Sequence, residues 1–409
     1  MVALVDYLIT SLSIKGKRSR IRSEPSLQTS VLCVALFSYP YTTTPLSPSH
    51  EPSLYVPCIY PLLRSYLYFH DSQDCKRMSN QENGLPEDPF SMEFKLPDLL
   101  LDDVVRGLHL RIEKEWDSLQ QSACQTAAGR AMWKHVINDP LADVLAGETS
   151  LRSLHEKIKK DCMNNAREIS GVILAVRTLW FDSKLEAVIN SFDGGAAQVV
   201  FLGAGMDARA YRLSCLSKSD VFEVDFPDVL QIKAALIKEA LESRDDHCEL
   251  KVIAKSLTRV AADIRDDVWL EKLQESGYMP ERNTVWVLEG LLYYLPQSHA
   301  MQVLKMIADK CNHTTTVLLA DFMNKLSTTL SSSTFQFYSD WPDHLLPSLG
   351  FSDVKLSQIG DSDANFGLMQ DPLNLFNKLR SLPRSVHIHP EDGTPCRRLY
   401  LVQAFGSPN

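Results

Sequence analysis

The residues with the most chemistry to offer fall in one short turn and in the strand ends downstream of it. Val199-Val200-Phe201-Leu202-Gly203-Ala204-Gly205-Met206-Asp207-Ala208 carries an apolar run into the pattern G-x-G-x-x-A. Gly203 permits a tight turn off a strand. Gly205 lets the backbone approach a ligand where a side chain would collide, and the small Ala208 allows close packing on a sheet. Taken alone, these residues suit a dinucleotide, an S-adenosylmethionine or a plain turn. A second apolar run ends in Glu223-Val224-Asp225, which puts Asp225 22 positions beyond Gly203. A carboxylate there can accept hydrogen bonds from both ribose hydroxyls of an adenosine, and it can equally cap a helix opening at Pro227. Two more acids take corresponding places: Asp263-Ile264 follows Val260-Ala261-Ala262, and Glu289 follows the run Thr284–Leu288. In an open parallel sheet, ligands bind outside the carboxyl ends of the strands, so these groups converge on one crevice.

The elements that must hold them can be traced from periodicity. From Asp98 to about Ile189 the pattern is helical. Leu99, Leu100, Val104, Val105, Leu108 and Leu110 recur at three- and four-residue steps, and a second run covers Arg167 to Ile189. From Gln198 onward, short apolar runs alternate with longer helical patterns, the signature of βαβ units and a mostly parallel sheet. The expected strands are Gln198–Leu202, Val221–Asp225, a third near Leu250–Ile253 followed by Arg259–Asp263, then Thr284–Leu288 and Thr315–Asp321. Arg398–Phe405 closes the sheet, with a partner near Val354–Ile359. The expected helices start at Ala208, at Pro227, at Val268 and near Gln297. Pro227 is well placed at a first helical position, where its missing N–H costs nothing.

Composition narrows the functional classes. The chain has 409 residues, 44% hydrophobic and 23% charged, which suits a soluble globular protein and excludes a wholly disordered one. A net charge of −9 argues against general attraction to nucleic acid or to anionic membrane. The nine cysteines are scattered and never spaced C-x-x-C, a reduced-compartment pattern rather than a disulfide scaffold or a zinc site. No H-E-x-x-H motif is present, so no metal is expected, and no G-x-S-x-G elbow of a hydrolase occurs.

Residues 1–77 are set apart. They hold seven of the 21 prolines and a charge of +3, leaving −12 for the remainder. The segment reads as disordered linker, as an organelle transit peptide around Lys15 to Arg22, or as upstream translated sequence ahead of Met78. The expected location is cytoplasmic, or a chloroplast or mitochondrion if that segment is a transit peptide. The domain proper is expected at 78–409, with a helical cover over 98–195 and an α/β core over 196–409.

Three stretches carry a family likeness: Phe201-Leu202-Gly203-Ala204-Gly205-Met206-Asp207-Ala208-Arg209-Ala210-Tyr211-Arg212-Leu213, Phe222-Glu223-Val224-Asp225-Phe226-Pro227, and Val287-Leu288-Glu289-Gly290-Leu291-Leu292-Tyr293-Tyr294-Leu295. In this order and spacing they resemble the leucine carboxyl methyltransferase family of class I S-adenosylmethionine-dependent enzymes. The likeness runs from about Asp98 to Phe405 and is nearer the bacterial-type branch than the phosphatase-modifying one. It implies a doubly wound, mostly parallel seven-stranded Rossmann-like sheet with a helical N-terminal cover, and transfer of a methyl group to a carboxylate or hydroxyl oxygen. It implies, too, that Gly203 lies under the methionine part of S-adenosyl-L-methionine and Asp225 holds the ribose. Asp263 and Ile264 would flank the adenine, Glu289 would sit near the methionine end, and Arg177 would pair with the ligand carboxylate. A planar guanidinium suits that last partner because it can bind both oxygens; without the likeness, Arg177 reads as a helix-surface residue lying over Trp180.

The phosphatase-modifying branch carries a lysine near the position of Ala128, for which Arg130 could substitute, and Ala208 stands where the family usually has Thr. The first departure weakens any transfer of a phosphatase substrate. The methyl acceptor is therefore left as a small molecule or a protein carboxylate, and no catalytic base is identified. The helical region and the segment Met323 to Phe351 are expected to shape the acceptor pocket, with Tyr293, Tyr294, Phe335, Tyr338 and Trp341 as candidate linings. The competing readings are a nicotinamide-dependent oxidoreductase, which lacks a Y-x-x-x-K pair here, and a non-catalytic module that keeps the cofactor fold.

Overall fold

Five residues of alternating contact, Gln198–Leu202, make the interior strand β1. Val199 and Phe201 enter one hydrophobic cluster, while Val200 and Leu202 enter another on the opposite face. The same split recurs in β4 (Thr284–Leu288), where Val285 and Val287 face one way and Trp286 and Leu288 the other. Strands buried on both faces are what a sheet covered by helices on both sides requires.

The computed structural model describes residues 94–408 apart from 167–168, 244–249, 332–333 and 370–374. The expectations for residues 1–77 lie outside the described residues. The described part forms a seven-stranded sheet in the order β3-β2-β1-β4-β5-β7-β6. Its remaining strands are β2 (Asp220–Asp225), β3 (Ser256–Ala261), β5 (Thr316–Met323), β6 (Asp353–Gln358) and β7 (Leu399–Gly406). Strands β1 to β5 pair in parallel, and β7 runs antiparallel to both β5 and β6. This is the expected mostly parallel, doubly wound α/β sheet, and its strand order reverses between β1 and β4.

Among the described residues, four α-helices precede the sheet: α1 (Asp103–Glu115), α2 (Ser118–Met132), α3 (Ala142–Met163) and α4 (Val172–Ser191). The Asp102 side chain accepts from the Val104 and Val105 amides and caps α1, a contact typically worth ~1 kcal/mol. Asp117 and Gln120 form a reciprocal capping box at the start of α2. Because the Asp102 cap resets the helix phase after a 3-10 turn, the expected apolar stripe is only partly realised. Leu100 and Val105 are buried, whereas Val104 and Leu110 face solvent. Helix α4 is wrapped on nearly all sides, burying Val172 to Thr178 without a break. Downstream come α5 (Pro227–Glu242), α6 (Trp269–Glu275), α7 (Gln297–Ala308), the short turn α8 (Lys325–Thr328), α9 (Pro342–Leu349) and α10 (Leu375–Arg380).

Two expectations are corrected. No α-helix starts at Ala208; the chain makes two 3-10 turns instead, Arg209–Tyr211 and Ser214–Lys218. The buried Arg209 side chain is tied to Asp182, Asp207 and Glu289, and these anchors hold the segment in tight turns against the sheet. The third strand is Ser256–Ala261 rather than a segment near Leu250–Ile253. The Ile253 and Ala254 amides both donate to the Ala210 carbonyl, at 2.9 and 3.0 Å, which ties that stretch to the turns after β1. The β2 ladder is taken up later, from Asp220 opposite Ser256 to Asp225 opposite Ala261. Among the described residues, no helix is long and apolar enough to cross a membrane.

Candidate functional site

Where the strand order reverses, the exits of β1 and β4 leave a crevice, the usual ligand position in an open α/β sheet. The β1 exit is the glycine turn. Gly203 has φ +63° and Gly205 φ +43°, backbone that favours glycine. The Gly203 and Ala204 amides donate to the Val224 carbonyl at 2.9 and 3.2 Å, folding the turn onto β2. A Cβ on Gly203 would lie 2.7 Å from Leu291 Cδ1, and one on Gly205 would lie 3.0 Å from Ala123 Cβ. The backbone is thus pressed between the β4 exit and helix α2.

Two adjoining cavities occupy the crevice, sharing Ala123, Gly205, Gly290 and Tyr294. Counted out to open solvent, their free space is about 790 and 520 Å³. The first is mostly apolar. Asp225, Phe226, Asp263 and Ile264 line it from the strand ends, Leu291 and Leu295 from beyond β4, and Leu119 and Gln120 from α2. The second is polar, with Thr126, Arg130, Arg177, Asp207 and Glu289 on its walls.

The six site residues read from the sequence are therefore brought to one rim, with one difference. Arg177, Asp225, Asp263, Ile264 and Glu289 line the cavities, whereas Gly203 lies behind the turn and Gly205 and Gly290 face the space. Of the aromatic candidates, Tyr294 lines both cavities and Tyr293 the polar one. Phe335 packs behind them with ring centroids 5.3 Å from each. Tyr338 lies under Lys325 and Trp341 under Arg384, away from the crevice. The segment Met323 to Phe351 contributes Gln336.

Asp225 accepts from the Gly205 amide through Oδ2 and from the Phe226 amide through Oδ1, both at 2.7 Å. Burial nonetheless outweighs these bonds and pushes its carboxyl above the ordinary range. Asp263 is different: the Arg265 guanidinium beside it holds its carboxyl below that range. At the polar end Arg177 is buried, 2% exposed, with Nε 3.0 Å from Glu289 Oε1 and Nη1 3.0 Å from Asp321 Oδ2. Burial alone would pull Arg177 down, but Glu289, Tyr293 and Asp321 together hold it above its ordinary value. Glu289 Oε2 also takes Arg209 Nη2 at 2.7 Å.

Several residues of this end carried no site assignment from sequence. Asp321, wholly buried in β5, bonds the Gly290 amide at 2.7 Å, and burial pushes its carboxyl up to about 6. Its signal was an acid at the end of the fifth expected strand, in series with those already noted. Arg209 joins Asp182, Asp207 and Glu289, and Arg212 grips Asp182 through both oxygens. Desolvation would raise Asp207, but Arg209 and Lys233 bring it down to about 2. Arg130 pairs with Asp139 at 2.7 Å and donates to the Met206 carbonyl in the glycine turn. No cluster fit to hold a metal occurs among the described residues.

Comparison with known proteins matches residues 123–308 to a family model described as leucine carboxyl methyltransferase. A Mycobacterium sp. (strain JLS) protein named "Putative S-adenosyl-L-methionine-dependent methyltransferase" is 35% identical over 196 residues, covering 45% of this chain and 61% of that one. A Streptomyces coelicolor protein with the same description is 32% identical over 206 residues, covering 48% of this chain and 68% of that one. The chain thus spans about three fifths of the first relative's length. Among solved structures, a DUF574 family protein from Streptomyces avermitilis aligns at a TM-score of 0.39 with 10% identity, over 64% of this chain and 94% of that one.

Proposed function

The chain belongs to the leucine carboxyl methyltransferase family, and on that premise we propose that it binds S-adenosyl-L-methionine in the β1–β4 crevice and transfers its methyl group to an oxygen acceptor. The observation that carries this reading is the single rim formed by Gly205, Asp225, Asp263, Ile264, Glu289, Gly290 and Arg177 around two adjoining cavities of opposite character. The apolar cavity suits an adenosine, with Asp225 placed to accept ribose hydroxyls and Asp263 and Ile264 beside the adenine. The polar cavity suits the amino-acid end, with Arg177 toward the carboxylate.

The charge balance there fits as well. Four arginines (Arg130, Arg177, Arg209, Arg212) are interlinked with five carboxylates (Asp139, Asp182, Asp207, Glu289, Asp321), an excess of one negative charge. A ligand carrying a sulfonium, an ammonium and a carboxylate has one net positive charge and complements it. When bound, the donor supplies an electrophilic methyl on a sulfonium. This chain's residues would hold, orient and shield that group: α2 and the tyrosine pair cover the crevice, keeping water from the reacting atoms. A carboxylate acceptor needs no general base, because it is already ionised at neutral pH. The acceptor is then a small molecule or a protein carboxylate.

The test is incubation with methyl-labelled S-adenosyl-L-methionine and fractionated cell extract, followed by mild base. A carboxyl ester releases the label as methanol, whereas an ether on a hydroxyl keeps it. Label on nitrogen or carbon would overturn the oxygen assignment.

A further inference from the structure

Asp321 is wholly buried in β5, so nothing bound in the crevice touches it. Both of its partners, however, line the polar cavity. Its Oδ1 accepts from the Gly290 amide at 2.7 Å and its Oδ2 from Arg177 Nη1 at 3.0 Å. The Tyr293 hydroxyl stands 3.5 Å from the same Oδ2 and 3.2 Å from the same Nη1. One buried carboxylate therefore ties the turn leaving β4 to the arginine of α4. Buried ion pairs are costly to desolvate and weak evidence of stability, so a role beyond stability deserves a test.

The anchoring is directional. Arg177 donates hydrogen bonds from Nη1 to Asp321 and to the Tyr293 hydroxyl, while its Nε faces Glu289 Oε1 at 3.0 Å as an ion pair without a hydrogen bond, so the direction of the guanidinium is set chiefly from the Asp321 side. Its Nη2 has no hydrogen-bond acceptor among the described residues, so the fork leaves that donor for the cavity. Gly290 has φ +70°, and a Cβ there would lie 2.9 Å from Nη1 and 3.3 Å from Nη2, so the turn's backbone rests against the guanidinium. Glu289 alone could not hold this arrangement, because its second oxygen is taken by Arg209.

We propose that Asp321 is a positioning residue for the amino-acid end of the methyl donor: its carboxylate sets the direction of the Arg177 guanidinium and the Gly290 amide, and so sets how strongly the polar cavity grips the ligand carboxylate. This rests on the assignment of the crevice to S-adenosyl-L-methionine. The groups facing Asp321 are Arg177 from α4 and Glu289, Tyr293 and Tyr294 from the segment after β4. Burial raises the carboxyl to about 6, so mild acid neutralises it and removes one of the two anchors.

The experiment is calorimetric titration of the full chain with S-adenosyl-L-methionine and with adenosine, which lacks the amino-acid tail, at about pH 7 and about pH 5.5. The affinity ratio of the two ligands isolates the tail, since both share the Asp225 and Asp263 contacts. At neutral pH the wild type should prefer S-adenosyl-L-methionine, and Asp321→Asn should reduce the ratio about tenfold with adenosine affinity unchanged. The wild-type ratio should fall at the lower pH, and the variant ratio should not. A merely structural role would weaken both ligands together. Equal ratios in wild type and variant, or a wild-type ratio indifferent to pH, overturn the proposal. If Asp321→Asn shows no cooperative thermal transition, the wild-type pH series decides alone. Failure of the wild type to bind either ligand would reject the crevice assignment itself.

Discussion

Replacing Asp225 separates the two tasks its carboxylate performs. In the ligand-free protein it accepts two amide bonds at 2.7 Å, one from the glycine turn and one from Phe226. Asp225→Ala orphans both donors. Each bond to a charged group is worth about 1.5–3 kcal/mol, but the variant also escapes the burial that raises this carboxyl. The net cost should be about 2–4 kcal/mol, a fall in Tm of roughly 5–10 °C. Asp225→Asn keeps one acceptor and removes the ionisation, so its cost should be only about 1–2 kcal/mol. Ligand affinity should respond differently. Asn loses a charge-assisted bond to the ribose, worth about 1.5–3 kcal/mol or roughly 10–150-fold in Kd. Thermal unfolding and calorimetry with S-adenosyl-L-methionine measure the two effects separately. Binding of Asp225→Asn at wild-type affinity would show that the β2 carboxylate serves the turn and not the ligand, refuting the argument.

Gly203→Ala would force a Cβ into left-handed backbone, 2.7 Å from Leu291 Cδ1. It should cost about 1–2 kcal/mol before any relaxation of Leu291, read as a lowered Tm. Glu289→Gln would take one ion-pair partner from each of Arg177 and Arg209, at 3.0 and 2.7 Å, leaving Asp321 beside the first and Asp182 and Asp207 beside the second. Its expected cost is roughly 1–3 kcal/mol in denaturant unfolding, and near-wild-type stability would show this member of the network to be dispensable. Asp321 gives a pH signature with a definite sign. Its folded pKa of about 6 lies above the unfolded value, so the ionised group costs stability at neutral pH. That cost, up to roughly 3 kcal/mol, is lifted as pH falls through about 6 towards 4. Asp321→Asn should flatten this part of the stability curve; an identical slope in the variant would assign the effect elsewhere.

What the sequence made legible was local or repetitive. The glycine turn, the acids at the ends of β2 and β4, and the alternation of short strands with helices each sit within a few residues of their cause. Helix α5 begins at Pro227 because a proline there loses nothing. The site's charge network was not legible, because its members meet only through the fold: Arg177 and Asp321 are 144 residues apart, and Arg209 and Glu289 are 80. The same network explains why the chain after Ala208 forms tight turns where propensity suggested a helix. Leu250–Ile253 misled because an apolar run of strand length hydrogen-bonds to a loop instead of to β2. The likeness named both Arg177 and Glu289, which line the polar cavity together, but gave no place to Asp321, the second carboxylate beside Arg177.

The central claim is that this rim grips an adenosyl sulfonium. Calorimetric titration of the wild-type chain with S-adenosyl-L-methionine and, separately, with NAD tests it most directly. Saturable one-site binding of the first, with no measurable heat from the second, is the predicted result; tight NAD binding, or none with S-adenosyl-L-methionine, would contradict it.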